Sequence, residues 1–551
     1  MNKSMLIAAA QSKIEPDIIF KNANVVNVFS GKTEHCDVAV YNGVIAGLGE
    51  YSGKNEIDLN GKYLMPSFID AHCHIESSLV SPVEYAKLVI PKGVTAVIAD
   101  PHEIANVKGE EGLSFMIKSA EGLPLDVHYM LPSCVPATPF DSSGAVIDSK
   151  LTKELMQKHG FLGLGEMMDF VSVLNSSDEV LAKIECADII DGHAPYISGK
   201  ELCAYACADI KTDHECTIPQ EASEKAARGM YVQIREGTSA KNLEALLPAI
   251  NEYNFDRFLF CTDDKHLDDI LEEGTISHCI DKAISLGLDP VKAIRMASLN
   301  AAQCYNLPHT GAIAPGYFAD IVISEDLNAT KITEVYKRGV LVAKNDKALF
   351  LAPAETDGNV TDTVHINPVK TEDFKMEFNS SIPVIEVMPD TLVTKSVLRK
   401  TGEQLEMCAC LERHKGTGNI GKAFVTGFGI KNGAVAQTIG HDNHNITVLG
   451  TSAEDMALAV NSLGKDGGIA VVIDGKLEAE MPLPIAGLMS DKPYEEAVKE
   501  YIAIKNAVKK LVPDSKIDTL MMLSFLSLCV IPEIRVSDKG LFSVTDMKFI
   551  E

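Results

Sequence analysis

The chain has 551 residues, 46% hydrophobic and 23% charged, with a formal net charge of −27. That length exceeds one hydrophobic core and predicts two to four units; the composition excludes an intrinsically disordered chain, and the charge excludes nucleic acid or an anionic membrane as partner. Thirteen cysteines, an odd and scattered set with no secretory leader before them, predict reduced thiols in a cytoplasmic protein with a small-molecule substrate.

In chain order, Met1 to Pro16 carries an apolar run (Met5 to Ala10) too short to span a membrane and reads as a short helix or frayed end. Asp17 to Pro66 alternates apolar stretches (IIFKNANVVNVF, VAVYNGVIAGLG) with turns at Ser30-Gly31-Lys32 and Gly61-Lys62, which predicts short strands and hairpins. A similar patch returns at Gly311 to Asn345 (GAIAPGYFADIVI, VYKRGVLVAKN), so residues 1–66 and 308–350 are expected to build one small composite β-sandwich. Between them, 67–307 alternates β-branched apolar runs with helical stretches, the βαβ pattern of a parallel sheet and an α/β fold class. Candidate strands end near His72, Asp100, Leu131, Glu166, His193, His214, Arg235 and Asp263, the count of a TIM-type (β/α)8 barrel. Residues 351–373, rich in Pro, Thr, Asp and Asn, read as a linker. Residues 374–551 read as a C-terminal α+β domain with helices at Ser452 to Leu463 and Tyr494 to Leu511.

The strongest local signal is Ile69-Asp70-Ala71-His72-Cys73-His74 at the end of the first barrel strand. Side chains two apart on a strand share a face, so both imidazoles can point at one metal. Later strand ends carry Glu166, His193, His214 and Asp263, all of metal-ligand type. In a barrel the C-terminal strand ends converge on one mouth, where catalytic groups gather.

That order resembles the amidohydrolase superfamily. Within it, His72-Cys73-His74-Ile75-Glu76-Ser77-Ser78, Ala99-Asp100-Pro101-His102-Glu103, Gly165-Glu166-Met167-Met168, Asp191-Gly192-His193-Ala194-Pro195 and Arg235-Glu236-Gly237 are similar to microbial adenine deaminases over nearly the whole chain. The resemblance implies hydrolytic deamination of adenine to hypoxanthine and ammonia, in purine salvage, by a hydroxide held between two divalent cations, Mn or Fe in first place and Zn as the other option. It implies that His72, His74 and Asp263 hold one cation, His193 and His214 the other, and that Glu166 spans both, standing where many superfamily members carry a carboxylated lysine. A glutamate serves there because each oxygen can hold one metal. A homo-oligomer is expected by the same analogy.

Asp263 is placed to accept the first proton, and Glu103, with Asp100 and His102 beside it, to pass protons to the ring or leaving amine; the alternative for this stretch is a solvated turn. Arg235 and Glu236 hold the purine edge, stand behind the metal-binding side chains, or pair as an ordinary salt bridge. Glu215 either orients His214 or reaches the substrate. Ser77 and Ser78 read as N-caps of the first helix, with Ser77 kept as a candidate substrate contact. His441 and His444, in His441-Asp442-Asn443-His444-Asn445, read either as a polar hairpin tip or as part of a loop lying over the barrel mouth and contacting substrate. Gly416-Thr417-Gly418-Asn419-Ile420-Gly421 matches the letters of a dinucleotide fingerprint, but a strand rather than a helix is expected after it. Met167, Met168, Met521 and Met522 read as packing residues. The competing readings are a cyclic amide hydrolase of dihydroorotase or hydantoinase type and a catalytically inactive scaffold.

Overall fold

The computed structural model describes residues 2–351, 359–376, 381–389, 391–400 and 405–550. A helix at Lys3–Ala10, capped by Asn2, precedes the first strands. Nine strands from both flanks of the parallel segment form one hydrogen-bonded sheet. Its seam joins Tyr63–Pro66 to Ile321–Ser324 antiparallel, pairing Pro66 with Ile321 and Tyr63 with Ser324. The two flanking segments thus meet in a single ladder.

Eight parallel strands follow: β1 (Phe68–Cys73), β2 (Val94–Ala99), β3 (Asp126–Leu131), β4 (Gly163–Met167), β5 (Ile190–Gly192), β6 (Thr212–Asp213), β7 (Tyr231–Arg235) and β8 (Phe258–Cys261). The first five pair in sequence order as one sheet and the last three as another. All eight expected strand ends lie within two residues of an observed one. β1 and β2 are buried along their whole length, as strands covered on both faces must be. Beyond the ladders, the Asp263 amide donates to the His72 carbonyl (3.0 Å) and the His74 amide to the Asp263 carbonyl (3.4 Å), joining the end of β8 to β1. β5 and β6 are too short for a ladder and meet through the Gly192 amide on Thr212 Oγ1 (3.1 Å) and the Lys211 amide on the Ile190 carbonyl (3.1 Å). Helix α1 (His102–Ala120), broken at Gly109, leaves the end of β2, and helix α2 (Pro219–Ala227) lies between β6 and β7.

Of the 351–373 linker, residues 352–358 lie outside the described residues. From Asn359 on, the chain is docked: Val360 and Val364 are buried, the Ala486 amide donates to the Val360 carbonyl (2.6 Å), and the His365 amide donates to Arg413 (2.8 Å). Beyond it stand an eight-stranded sheet, a three-stranded sheet, and helices at Ala453–Ser462 and Tyr494–Leu511. The Gly416–Gly421 stretch leads into the strand Ile420–Thr426, and Glu412 accepts the amides of His414, Lys415 and Thr417 (2.5, 2.7 and 2.8 Å). Those amides are the ones a phosphate would need, so the fingerprint is excluded. The C-terminal residues grip the loop after β3: Ser142 donates to Asp538 through its amide and hydroxyl (2.9 and 2.7 Å), and Phe140 stacks on Phe542 at 4.5 Å. Met167, Met521 and Met522 are buried in apolar surroundings and Met168 packs at a core edge. All thirteen cysteines are free thiols. No helix among the described residues is long and apolar enough to cross a membrane.

Candidate metal centre

The ends of β1, β4, β5, β6 and β8 bring six side chains to one place. His72 Nε2 lies 3.9 Å from Glu166 Oε1 and 3.8 Å from Asp263 Oδ1; His74 Nε2 lies 3.4 and 3.2 Å from the same two atoms. On the other side, Glu166 Oε2 is 2.7 Å from His193 Nδ1 and 3.2 Å from His214 Nε2. One carboxylate therefore offers each oxygen to a different pair of imidazoles. Burial raises the Glu166 carboxyl, but the hydrogen bonds from His193 and His214 outweigh it and hold the group ionised, well below its usual range.

The donor set fits divalent cations. Metal–ligand bonds of about 2.0–2.2 Å place neighbouring donor atoms about 3–3.5 Å apart; the separations here run from 2.7 to 3.9 Å and bracket that range. Both ring nitrogens of the fully buried His72 lack a hydrogen-bond partner, as does His214 Nδ1; buried polar atoms are rarely left so without a role. His74 Nδ1, 2.9 Å from the Asp100 carbonyl, must donate to it, which leaves Nε2 free as a ligand. The triplets His72-His74-Glu166, His72-His214-Asp263 and Glu166-His193-His214 each gather within cation reach.

Local backbone explains how these residues arrive. Asp263 adopts φ 57°, a left-handed conformation that Asp tolerates better than most residues, just where its own amide and carbonyl bridge to β1. Gly165 is required beside Glu166: a Cβ there would stand 2.3 Å from Asp100 Oδ2, the atom that accepts the Glu166 amide at 3.0 Å. Asp100 thus orients both His74 and Glu166.

Arg235 enters this mouth and Glu236 does not. Arg235 grips Glu215 with both guanidinium nitrogens and donates to Asp263 Oδ2 at 2.7 Å. The expected Arg235–Glu236 pair is not formed. Successive residues on β7 face opposite ways, so Glu236 turns outward, fully buried, onto Lys282 (2.8 Å) and the Leu243 amide (3.1 Å). It is corrected from candidate substrate contact to structural anchor. Glu215 stands 3.5 Å from His214 Nε2 and 3.9 Å from His193 Nδ1, at the site's edge. Ser77 and Ser78 cap no helix: both lie in a 3-10 turn, Ile75–Ser78, where the Ser77 hydroxyl donates to Asp264 (2.5 Å) and that of Ser78 to the Ile75 carbonyl (2.6 Å).

Beside these six side chains a second group surrounds Glu103. His441 Nδ1 lies 2.6 Å from Glu103 Oε1, His444 Nε2 bonds Oε2, and His102 Nε2 stands 3.4 Å from Oε1. Burial raises the Glu103 carboxyl, but the imidazoles of His441, His444 and His102 outweigh it and hold it well below its usual range. His102 also reaches Glu166, with Nδ1 3.4 Å from Oε1. The loop 441–445 is the tip of a hairpin, joining the antiparallel strands Gly433–Gln437 and Ile446–Gly450, and it reaches the end of β2 through Glu103. Asp442, 3.9 Å from His102 and pushed up to about 6 by burial, also belongs to this cluster, and Asp264 gathers with His74 and Asp263. Sequence reasoning missed both, although each directly follows a residue it had singled out. The six side chains are nearly closed off; His193, with 28% of its side chain exposed, marks the open edge.

Residues 63–342 match the amidohydrolase family model and residues 386–548 the adenine deaminase C-terminal domain. The adenine deaminase of Clostridium acetobutylicum is 45% identical, the alignment covering 97% of each chain. Adenine deaminase 2 of Carboxydothermus hydrogenoformans is 43% identical over 99% of this chain and 98% of that one, and the adenine deaminase of Halalkalibacterium halodurans 42% identical over 100% and 98%. With both models matched in order and relatives aligned from end to end, the chain belongs to the adenine deaminase family of amidohydrolases.

Proposed function

We propose that this chain hydrolyses adenine to hypoxanthine and ammonia, water supplying the oxygen that replaces the exocyclic amine. Glu166 carries the reading: its two oxygens face two separate imidazole pairs around an interior with unpartnered nitrogens. In this reading His72, His74 and Asp263 hold one divalent cation, His193 and His214 the other, and Glu166 both; mixed nitrogen and oxygen ligands suit Mn or Fe, with Zn as the third option. When bound, such a pair polarises water and lowers its pKa toward neutrality.

The chain's own groups supply the rest. Asp263, held at Oδ2 by Arg235, presents Oδ1 to the centre and takes the proton released by the attacking water. Glu103, held ionised and within reach of three imidazoles, relays protons from His102 and His441, both held protonated beside it, to the ring nitrogen beside the amine and to the departing ammonia, and the two protons of the attacking water replace them. Asp100 keeps His74 and Glu166 aimed. The C-terminal loop excludes water from the pocket.

The same reading takes the eight parallel strands as one closed (β/α)8 barrel over 67–307. Residues 1–66 and 308–350 form its composite β-sandwich and 374–551 its C-terminal domain. Contacts across β8–β1 and β5–β6 support closure.

The test is protein purified with Mn(II), its metal content counted, and ammonia release followed from adenine and adenosine beside ring opening of dihydroorotate. Two cations per chain and ammonia from adenine alone are expected. A sample with two cations that leaves adenine untouched would end the proposal.

A further inference from the structure

β5 and β6 carry His193 and His214 just beyond their ends, yet they are three and two residues long and share no strand ladder. The Lys211 amide on the Ile190 carbonyl and the Gly192 amide on Thr212 Oγ1 join the two strands, but neither bond reaches the imidazoles, so further groups must fix the gap between them. The polar groups around Lys225, on α2, are arranged to do so.

Lys225 is fully buried, and its ammonium meets Asp213 Oδ1 at 2.9 Å, Glu221 Oε1 at 2.9 Å and the Ala194 carbonyl at 2.8 Å. Asp213 precedes His214; its other oxygen accepts the Ala194 amide (2.8 Å) and Oδ1 the Glu215 amide (2.9 Å). Ala194 follows His193, so the peptide groups flanking one histidine are tied to the side chain flanking the other. Glu221 holds the next loops in turn, accepting the Tyr196 amide (2.8 Å) and the Thr217 amide (3.3 Å). Tyr205 closes the ring, its hydroxyl accepting the His193 amide at 3.0 Å. One buried cation thus stands in for the missing ladder. Without it, two carboxylates would face each other in the interior uncompensated.

We infer that Lys225 is a positioning residue that sets the separation of His193 and His214, and so governs cation retention in that half of the centre. The inference rests on the two-cation reading above. It makes the His193/His214 half separately breakable, because the His72/His74/Asp263 half is joined by main-chain hydrogen bonds between β8 and β1.

Lys337 is a natural control: also buried, it meets Asp126 (2.7 Å), Asp320 (2.9 Å) and the Thr95 carbonyl (3.1 Å) beside the starts of β2 and β3, at the opposite barrel end. Wild type, Lys225→Met and Lys337→Met would be loaded with Mn(II), freed of excess metal, and compared for cations per chain, rate of release to a chelator, and melting temperature. Lys225→Met is expected to fall from two cations to one, while Lys337→Met keeps two at a similar loss of melting temperature. Glu221→Gln, which spares the Lys225–Asp213 pair, is expected to fold and to release one of its two cations about 10–100-fold faster, the range for groups that orient metal ligands. Two firmly held cations in both Lys225→Met and Glu221→Gln would overturn the proposal, as would equal losses from Lys225→Met and Lys337→Met. A wild type holding one cation would end the two-cation reading itself and this inference with it.

Discussion

Glu166→Gln is the most demanding single test of the centre. The substitution keeps size and shape but turns one of two acceptor oxygens into a donor, aimed at nitrogens 2.7 and 3.2 Å away on one side or at His74, 3.4 Å away, on the other. Whichever way the amide sits, one imidazole pair loses its acceptor and the centre loses a negative charge. Charge-assisted contacts are worth roughly 1.5–3 kcal/mol each; losing the one on that side lowers cation affinity roughly ten- to a hundredfold. Titrating the metal-free variant with Mn(II), counting bound metal, and following ammonia from adenine would read this directly, with the circular-dichroism melt as a folding control. A folded Glu166→Gln chain that binds two cations at wild-type affinity and turns over at the wild-type rate would refute the bridging assignment.

The Glu103 cluster predicts that His441→Ala or His444→Ala lowers kcat by about a hundredfold, the low end for lost proton-transfer assistance, with little change in KM; steady-state kinetics unchanged in either folded variant would show that the loop only covers the site. Glu236→Gln should lower stability by about 3 kcal/mol, because it breaks a buried ion pair, and leave kcat untouched; denaturant titration beside kinetics separates the two effects. Burial pushes Asp141 up to about 6 against hydrogen bonds from Asn443 and Thr138. Its folded value therefore lies above its unfolded one of about 3.9, so its contribution to stability is full below about pH 4 and is lost as pH rises through about 6. Asp141→Asn, neutral throughout, should gain melting temperature on wild type between those values and keep a constant lead above about pH 7; parallel curves would contradict this.

Much of the site was legible because its carriers are local. His72 and His74 share a face by strand parity, and Glu166, His193, His214 and Asp263 each sit at or just beyond the end of a short strand. The same parity rule separates Arg235 from Glu236, and reading the pair as a unit was the error there. Ser77 falls inside a 3-10 turn, the N-cap of the helix Pro82–Val89 being Ser81, and its hydroxyl goes instead to Asp264, 187 positions away. Residues joined across the chain were the least legible: Glu103 meets His444 over 341 positions, and no periodicity records such a meeting. Lys225 was invisible for a similar reason, since a lysine on an amphipathic helix reads as solvated until the fold turns it inward.

The seam between Tyr63–Pro66 and Ile321–Ser324 has a bearing on biosynthesis. The earlier strand leaves the ribosome long before its neighbour exists, and at roughly 5–20 residues per second the wait is on the order of tens of seconds. Throughout that interval a row of unpaired amides and carbonyls stands open on a nascent chain, a template for wrong pairing with other polypeptides. Yield of native protein should therefore respond to translation speed and to chaperones that shield exposed strand edges, even where the finished molecule is robust.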